Sequence, residues 1–395
     1  MRVLHLTTEF PPVIFGGLGT AVGGLVGALA QAGTQVGVLL VGSGVNGYGS
    51  SATATTQPAA SVTQPVIVAH DVSVFATAWS GAPETALDVC RRWRPDVVHL
   101  HVFWLWEIAR RIHDELGLPL VYTVHSLDVA EYDLGNGPSE CLQQWQVQQA
   151  VLAHADVIHA PSTSEADLVA RYCPATQDRL AVAGHGIDDP HGVPSRNRHH
   201  RDGPTTVLFV GRFVDRKGIR ELLAAIPTVL EQAPDTRFVL SGGHRGVTAA
   251  EMRAHWLPDH LARHQDQVCF TGWLSPEATA DWYAQADILV IPSWYEPFGM
   301  VVLEGMLEAI AIAASDVGGP GEILEHEQTA LLFAPRDPAS LASTVARLAT
   351  DPGLRQRLGT NAAQDVRRNW LWPSAAAKMQ HIYTHATTTA CEVAA

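Results

Sequence analysis

No Cys-x-x-Cys pair occurs in this chain of 395 residues; its five cysteines, Cys90, Cys141, Cys173, Cys269 and Cys391, are scattered and odd in number. That pattern fits reduced thiols in the cytoplasm and argues against a structural zinc. No Asp-x-Asp triplet occurs either, so a divalent cation has no obvious ligand set, and neither metal nor cofactor is expected. Charge is sparse: 17% of residues are charged, the net charge is −14, and no run of basic residues stands out. The acidic balance argues against a nucleic-acid partner and against docking on an anionic membrane, although Arg91, Arg92, Arg94, Arg110 and Arg111 form a local basic group. No apolar run reaches membrane-spanning length, so stable membrane insertion is not expected. The N-terminal apolar part, in Met-Arg-Val-Leu-His-Leu-Thr-Thr-Glu, is too short and interrupted for a signal peptide.

What is present suits a soluble globular protein, with 47% hydrophobic residues over a length that exceeds one ordinary core. Strands and helices alternate, first from Val3–Thr7 to Leu180–Ala183, then from Thr206–Val210 to Leu331–Ala334. Such alternation makes parallel sheets covered by helices on both faces. The expected division is a domain over 1–190, a Pro-, Gly-, His- and Arg-rich linker over 191–204, a second domain over 205–370, and a C-terminal helix over 371–395 packing back on the first domain. Gly42 to Gln64, rich in Gly, Ser, Ala and Thr, reads as a surface loop. The Ala-, Arg-, Gly- and Pro-rich composition points to a high-GC bacterium.

The stretch from Ile288 to Glu304 organises the second half. Ile288–Ile291 reads as a strand buried on both faces, stopped by Pro292 and Ser293. A loop carries Glu296, Pro297, Phe298 and Gly299; a helix then opens with Met300, Val301 and Val302, and Glu304 lies one turn further in. Amides at a helix start lack partners within the helix and can hold an anion. The two carboxylates flanking that start suit a polar ligand with a phosphate at one end and hydroxyls at the other. The same pair can also be a helix-cap neighbour and a solvated helix residue.

Other stretches carry similar signals. Gly16-Gly17-Leu18-Gly19 lies between the first strand and a helix from about Thr20 to Ala32, where glycine lets the backbone approach an anion, or a helix approach a strand. The third glycine of the dinucleotide fingerprint is missing, which disfavours a nicotinamide dehydrogenase. Arg212 and Lys217 stand five apart between a strand and the helix Ile219–Gln232; arginine forks onto oxygens and lysine acts as a point charge. Arg216 lies between them, and Lys217 is preferred because it directly precedes Gly218. His125 ends the strand Leu120–His125, where open parallel sheets bind ligands. Histidines 99, 101, 154, 159 and 185 also flank strands, so position alone does not separate His125 from structural histidines.

Glu296-Pro-Phe-Gly-x4-Glu304 resembles the E-x7-E signature of the family 4 retaining glycosyltransferases. Gly211-Arg212-x4-Lys217-Gly218 resembles that family's Gly-Arg…Lys-Gly, and Gly16-Gly17 resembles its N-terminal glycine loop. The longer Gly-Gly-Leu-Gly-x-x-Val-Gly-Gly-Leu is similar to bacterial glycogen and starch synthases, which have a lysine where this chain has Ile14. The resemblance implies an α/β protein of GT-B architecture, two Rossmann-like doubly wound domains facing a central cleft. It implies that Glu296 contacts donor-sugar hydroxyls and Glu304 the nucleotide ribose. His125, matching the family's Thr-x-His, would approach the donor sugar and its anomeric carbon. Gly16, Gly17, Phe298, Gly299 and Met300 would offer backbone to the phosphates. Trp273 and Leu274 would lie near the base, with Asp128 and Glu131 on the acceptor side.

A diphosphate leaving group must be neutralised by a metal, by fixed cations or by helix N-termini. Without a metal triplet, Arg212 and Lys217 take that part. Double displacement would need a carboxylate nucleophile, whereas both glutamates are assigned to hydroxyls and ribose. The resemblance therefore implies metal-independent, retaining, front-face transfer from a nucleotide-diphosphate sugar, with His125, Arg212, Lys217 and Glu296 as the catalytic set. The acidic balance favours a soluble small-molecule acceptor over a lipid. The alternatives are a nucleotide-sugar epimerase or phosphorylase of the same fold, and a non-catalytic sugar-nucleotide-binding protein. Donor base, sugar, acceptor and oligomeric state, a homodimer included, stay open.

Overall fold

Periodic apolar segments become the strands of two separate sheets. A computed structural model describes residues 1–12, 14, 16–42, 62–68, 72–190, 192, 203–243 and 246–394. Most of the expected surface loop 42–64 and of the expected linker 191–204 lies outside these residues.

The chain forms two units: Met1–Val129 with Ser139–Asp188 and Trp372–Ala395, and Ala130–Pro138 with Asp189–Leu371. Residues 130–138 thus go with the second unit, although the sequence boundaries put them in the first. The cause is side-chain bonding: Glu131 pairs with Arg216 and Asn136 donates to Asp215.

The first unit's sheet is built from β1 (Arg2–Thr7), β2 (Gln35–Val41), β3 (Val62–Val68), β4 (Val72–Thr77), β5 (Val97–Leu100), β6 (Leu120–Thr123), β7 (Val157–Ala160) and β8 (Leu180–Val182). Their spatial order is β3-β4-β2-β1-β5-β6-β7-β8. All pairs are parallel except β3 with β4. Strand β4 was not expected from sequence: five of its six residues are buried, so it does not alternate, and Ser73 and Thr77 keep it from reading as an unbroken apolar run. The first helix, Gly17–Gln31, begins three residues before its expected start, which makes Gly16 the N-cap and Gly17 the first helical residue. Its glycines hide the helical period but let a neighbour in close. A Cβ on Gly24 would lie 2.1 Å from the Trp372 ring, and Trp372 opens the C-terminal helix Trp372–Ala394. That helix is held to the first unit by Gln380, which donates to Thr34, and by the buried Tyr383.

The second unit's sheet contains β9 (Thr205–Gly211), β10 (Thr236–Gly242), β11 (Val268–Gly272), β12 (Ile288–Ile291), β13 (Ala311–Ser315) and β14 (Leu331–Phe333). The order β11-β10-β9-β12-β13-β14 is all parallel. Every residue of β12 and β13 is buried, as their unbroken apolar runs require. The strand order reverses direction between β9 and β12, and a crevice opens at the carboxyl ends of such a pair. In the first unit, β1 and β5 hold the equivalent place.

Candidate functional site

In the second unit, adjacent strands β9 and β12 deliver the two cation- and carboxylate-bearing loops to one spot. The first loop makes a 3-10 turn, Asp215–Lys217, and enters helix Ile219–Gln232 at Gly218. Gly218 has φ +69°, and a Cβ there would lie 1.8 Å from the Pro292 carbonyl oxygen, so no larger residue fits. Trp294 N–H donates to the Arg216 carbonyl at 2.7 Å, stitching the loops together. This brings Lys217 Nζ onto Glu296 Oε2. Ser293 Oγ, itself buried, donates to the same oxygen at 3.3 Å.

Burial pulls the Lys217 ammonium down, and the attraction of Glu296 offsets only part of that. Burial pushes the Glu296 carboxyl up, but Lys217 and Arg216 more than reverse it, leaving it below the usual range. Each charge is held by the other, so the pair depends on both partners. Arg212 is exposed beside it, and its charge adds to the downward pull on Lys217. Arg216 goes elsewhere: its Nε donates to Glu131 Oε1 at 2.9 Å. Lys217 and Arg216, neighbours in sequence, thus serve different carboxylates.

The β12 loop continues to Gly299, which at φ +92° caps helix Met300–Leu307. A second glycine turn clamps it. Gly319 N–H donates to the Glu296 carbonyl at 2.9 Å, and a Cβ on Gly319 would lie 2.0 Å from the Phe298 carbonyl oxygen. Phe298 is buried with its ring 5.9 Å from Trp370, while Met300 is half-buried. One turn along, Glu304 accepts a hydrogen bond from Tyr283 Oη at 2.5 Å. Burial raises the Glu304 carboxyl, and Tyr283 opposes part of that rise. Trp273 and Leu274 follow β11, two strands from β9, and are half-buried.

In the first unit, Gly16 and Gly17 are exposed at the start of helix Gly17–Gln31, and a Cβ on either would meet nothing described within 4 Å. No described residue packs against either position, unlike Gly24. His125 lies just past β6, half-buried, with Nε2 3.1 Å from His101 Nδ1 and its ring stacked on His185. Asp128 opens helix Asp128–Gly135, buried, with its N–H bonded to Gln148. Glu131, expected on the acceptor side, accepts from Arg216 Nε.

Sequence reading missed Ser293 and Tyr283 as members of this arrangement. Ser293 had a signal, its place at the end of β12; Tyr283, mid-helix, had none. The basic group on helices 82–93 and 106–116 is neutralised by ion pairs, among them Arg92–Asp88, Arg110–Asp114 and Arg111–Glu84. Among the described residues, no helix is long and apolar enough to cross a membrane.

Comparison with known proteins follows the same division. The family described as "Glycosyl transferase 4-like domain" matches residues 16–186, and "Glycosyl transferases group 1" matches residues 195–365. Glycogen synthase of Mycobacterium tuberculosis is 30% identical over 404 residues, covering 97% of this chain and 94% of that one. Among solved structures, sucrose-phosphate synthase from Thermosynechococcus elongatus superposes with a TM-score of 0.76 at 23% identity, covering 98% of this chain and 99% of that one. The catalytic domain of starch synthase IV from Arabidopsis thaliana, bound to ADP and acarbose, gives 0.75 at 15% identity over 98% of this chain and 99% of that one.

Proposed function

The chain belongs to the group 1 glycosyltransferases, and from that premise we propose that it moves a sugar from a nucleoside-diphosphate sugar to a soluble small-molecule acceptor, with retention and without a divalent metal. The observation that carries this reading is the buried Lys217–Glu296 pair beside Arg212, at the point where the second sheet's strand order reverses. Two cations on the loop that follows β9, Arg212 and Lys217, suit a diphosphate leaving group. Glu296, held by Lys217 and Ser293, keeps its remaining acceptor capacity for sugar hydroxyls. Glu304, oriented by Tyr283, takes the ribose hydroxyls.

In the front-face step, the bond from the anomeric carbon to the phosphate oxygen breaks. The bond from the acceptor oxygen to that carbon forms on the same face. The acceptor's proton passes to the leaving phosphate, whose charge Arg212 and Lys217 carry. No side chain is covalently modified, and no carboxylate attacks.

A thermal-shift screen of nucleoside diphosphates and their sugars tests the donor side, because a ligand held by the folded state alone raises the melting temperature. Stabilisation by one base is expected; none by any diphosphate sinks the reading. Release of free diphosphate only when acceptor is added separates transfer from epimerisation or phosphorolysis. Turnover should survive chelation; its loss, restored by magnesium, would exclude the metal-free mechanism. Full-length similarity to a protein named glycogen synthase favours a second reading, with a glucan as acceptor. Glucan chains and small sugars tried side by side decide between the two.

A further inference from the structure

Histidines 5, 99, 101, 159 and 185 of the first unit are buried on β1, β5 and β7 or just past β5 and β8, and His125 lies half-buried beside them. His5 and His99 are register partners on β1 and β5, and alternate residues share a sheet face, so His101 joins them. Two hydrogen-bond chains run through these rings.

The first chain has a fixed direction. It ends on the Ala183 carbonyl, which can only accept, so His159 Nε2 donates to it at 2.7 Å. His159 Nδ1 then accepts from Thr123 Oγ1 at 2.7 Å, and Thr123 accepts from His99 Nε2 at 2.6 Å. His99 Nδ1 accepts from Tyr383 Oη at 2.7 Å. Every N–H and O–H of this chain is thereby committed.

The second chain runs from His125 Nε2 to His101 Nδ1 at 3.1 Å, then from His101 Nε2 to His5 Nδ1 at 2.8 Å. It ends on His5 Nε2, which is buried with no hydrogen-bond partner among the described residues. That orphan sets the direction. If the protons pointed inward, His5 would bury an N–H without an acceptor. If they point outward, it buries a bare lone pair. Orphaned buried donors are rarer in folded proteins than under-satisfied acceptors. The outward direction makes His5 Nδ1–H donate to His101, and His101 Nδ1–H donate to His125 Nε2. The proton of His125 is then left on Nδ1, which has no protein partner among the described residues.

We infer that His5 and His101 are positioning residues that hold His125 in its neutral Nδ1–H tautomer, as a fixed hydrogen-bond donor to an oxygen of the bound ligand and not as a base. The catalytic consequence rests on the proposed function together with the placement of His125 near the donor sugar that the family resemblance implies; the tautomer itself does not. Burial lowers His125 to about 3, so it stays neutral at working pH. The titratable groups packed around this chain are His99, His159, His185 and Tyr383, all held neutral by burial as well. His5, His99 and His101 also offer nitrogens within 4.8 Å of one another, a spacing a metal could use. Both His99 nitrogens are committed to Tyr383 and Thr123, however, and His5 and His101 bond each other, which favours the hydrogen-bonded chain.

The test is long-range proton–nitrogen NMR on the 15N-labelled protein without ligand, with the His125 signals assigned by their loss in His125→Gln. The expected spectrum shows His125 protonated on Nδ1. In His101→Leu that tautomer is lost and kcat falls about tenfold to a hundredfold, while His101→Asn, whose amide N–H can replace the imidazole donor, keeps the tautomer and most of the turnover. A wild-type His125 protonated on Nε2 would overturn the inference. So would an unchanged tautomer in His101→Leu, or one zinc ion bound per chain and lost in His5→Ala. Should the leucine variant not fold, the wild-type spectrum decides alone. Because no donor is present, failure of the sugar-transfer reading leaves this result standing.

Discussion

Lys217 and Arg216 differ by one position, yet their tasks separate in space: Lys217 meets Glu296 and Arg216 meets Glu131. Replacing Lys217 by Ala should lower kcat about a hundredfold to a thousandfold, as loss of one preorganised charge at a developing anion does. It should also lower the melting temperature, because Glu296 is left buried and unpaired. The double variant Lys217→Ala with Glu296→Gln should regain much of that temperature and none of the turnover. Near-normal turnover in Lys217→Ala would remove its assigned role. Tyr283 offers a milder probe. In Tyr283→Phe the ring stays and the 2.5 Å bond to Glu304 goes. The expected result is a donor KM raised about tenfold with kcat little changed. An unchanged donor KM would disconnect Tyr283 from binding. The glutamates were legible as residues because their spacing around a helix start is a one-dimensional signal. Their partners were not, because Tyr283 belongs to another helix and reaches Glu304 only through packing.

At the scale of elements, two strand–loop–helix turns use glycine for opposite reasons. Gly218 is squeezed, with its absent Cβ aimed at the Pro292 carbonyl, while a Cβ on Gly17 would meet no described residue within 4 Å. Gly218→Ala should cost several kcal/mol, on the order expected for a positive-φ site with a backbone clash, and should unfold the protein or sharply lower its melting point. Gly17→Ala should leave stability unchanged or raise it by about 0.5–1 kcal/mol, since Ala is the better helix former. Its turnover should nevertheless drop about tenfold or more if, as the family resemblance implies, the Gly17 backbone meets a phosphate. A Gly17→Ala enzyme with full activity would leave that helix start without a ligand. Element types were readable where apolar runs were clear, as in β12 and β13. Strand β4 and the first turn of helix Gly17–Gln31 were hidden, one by Ser73 and Thr77 interrupting a buried run and the other by glycines whose low helix propensity tertiary packing overrides.

Over the whole molecule, acid sensitivity should be uneven. His5 and His125 are held to about 3 and His159 to about 4 by burial, against an ordinary 6.5. Their folded values lie below the unfolded one, so the unfolded chain binds more protons between them. The stability is fully present above pH 6.5 and is lost as pH falls toward 4. At pH 5 each such histidine costs about 2 kcal/mol, from 1.36 kcal/mol per unit over about 1.5 units. Hydrogen exchange, corrected for intrinsic rates, should show β1, β5 and β6 losing protection between pH 6.5 and 5 while β9 and β12 keep theirs. Equal loss in both sheets would count against the histidine cluster as the cause. Histidines 99, 101, 159 and 185 were each visible beside a strand, but not as one network, because the register of β1 on β5 and the cover of Tyr383, 284 residues from His99, are non-local. By itself the sequence determined the two parallel α/β sheets and the residue types at the carboxyl ends of β9 and β12, because apolar period and glycine spacing act along the chain. Only tertiary structure decided which carboxylate each cation meets, and which way the buried histidine protons point, since those depend on neighbours that the chain brings together from afar.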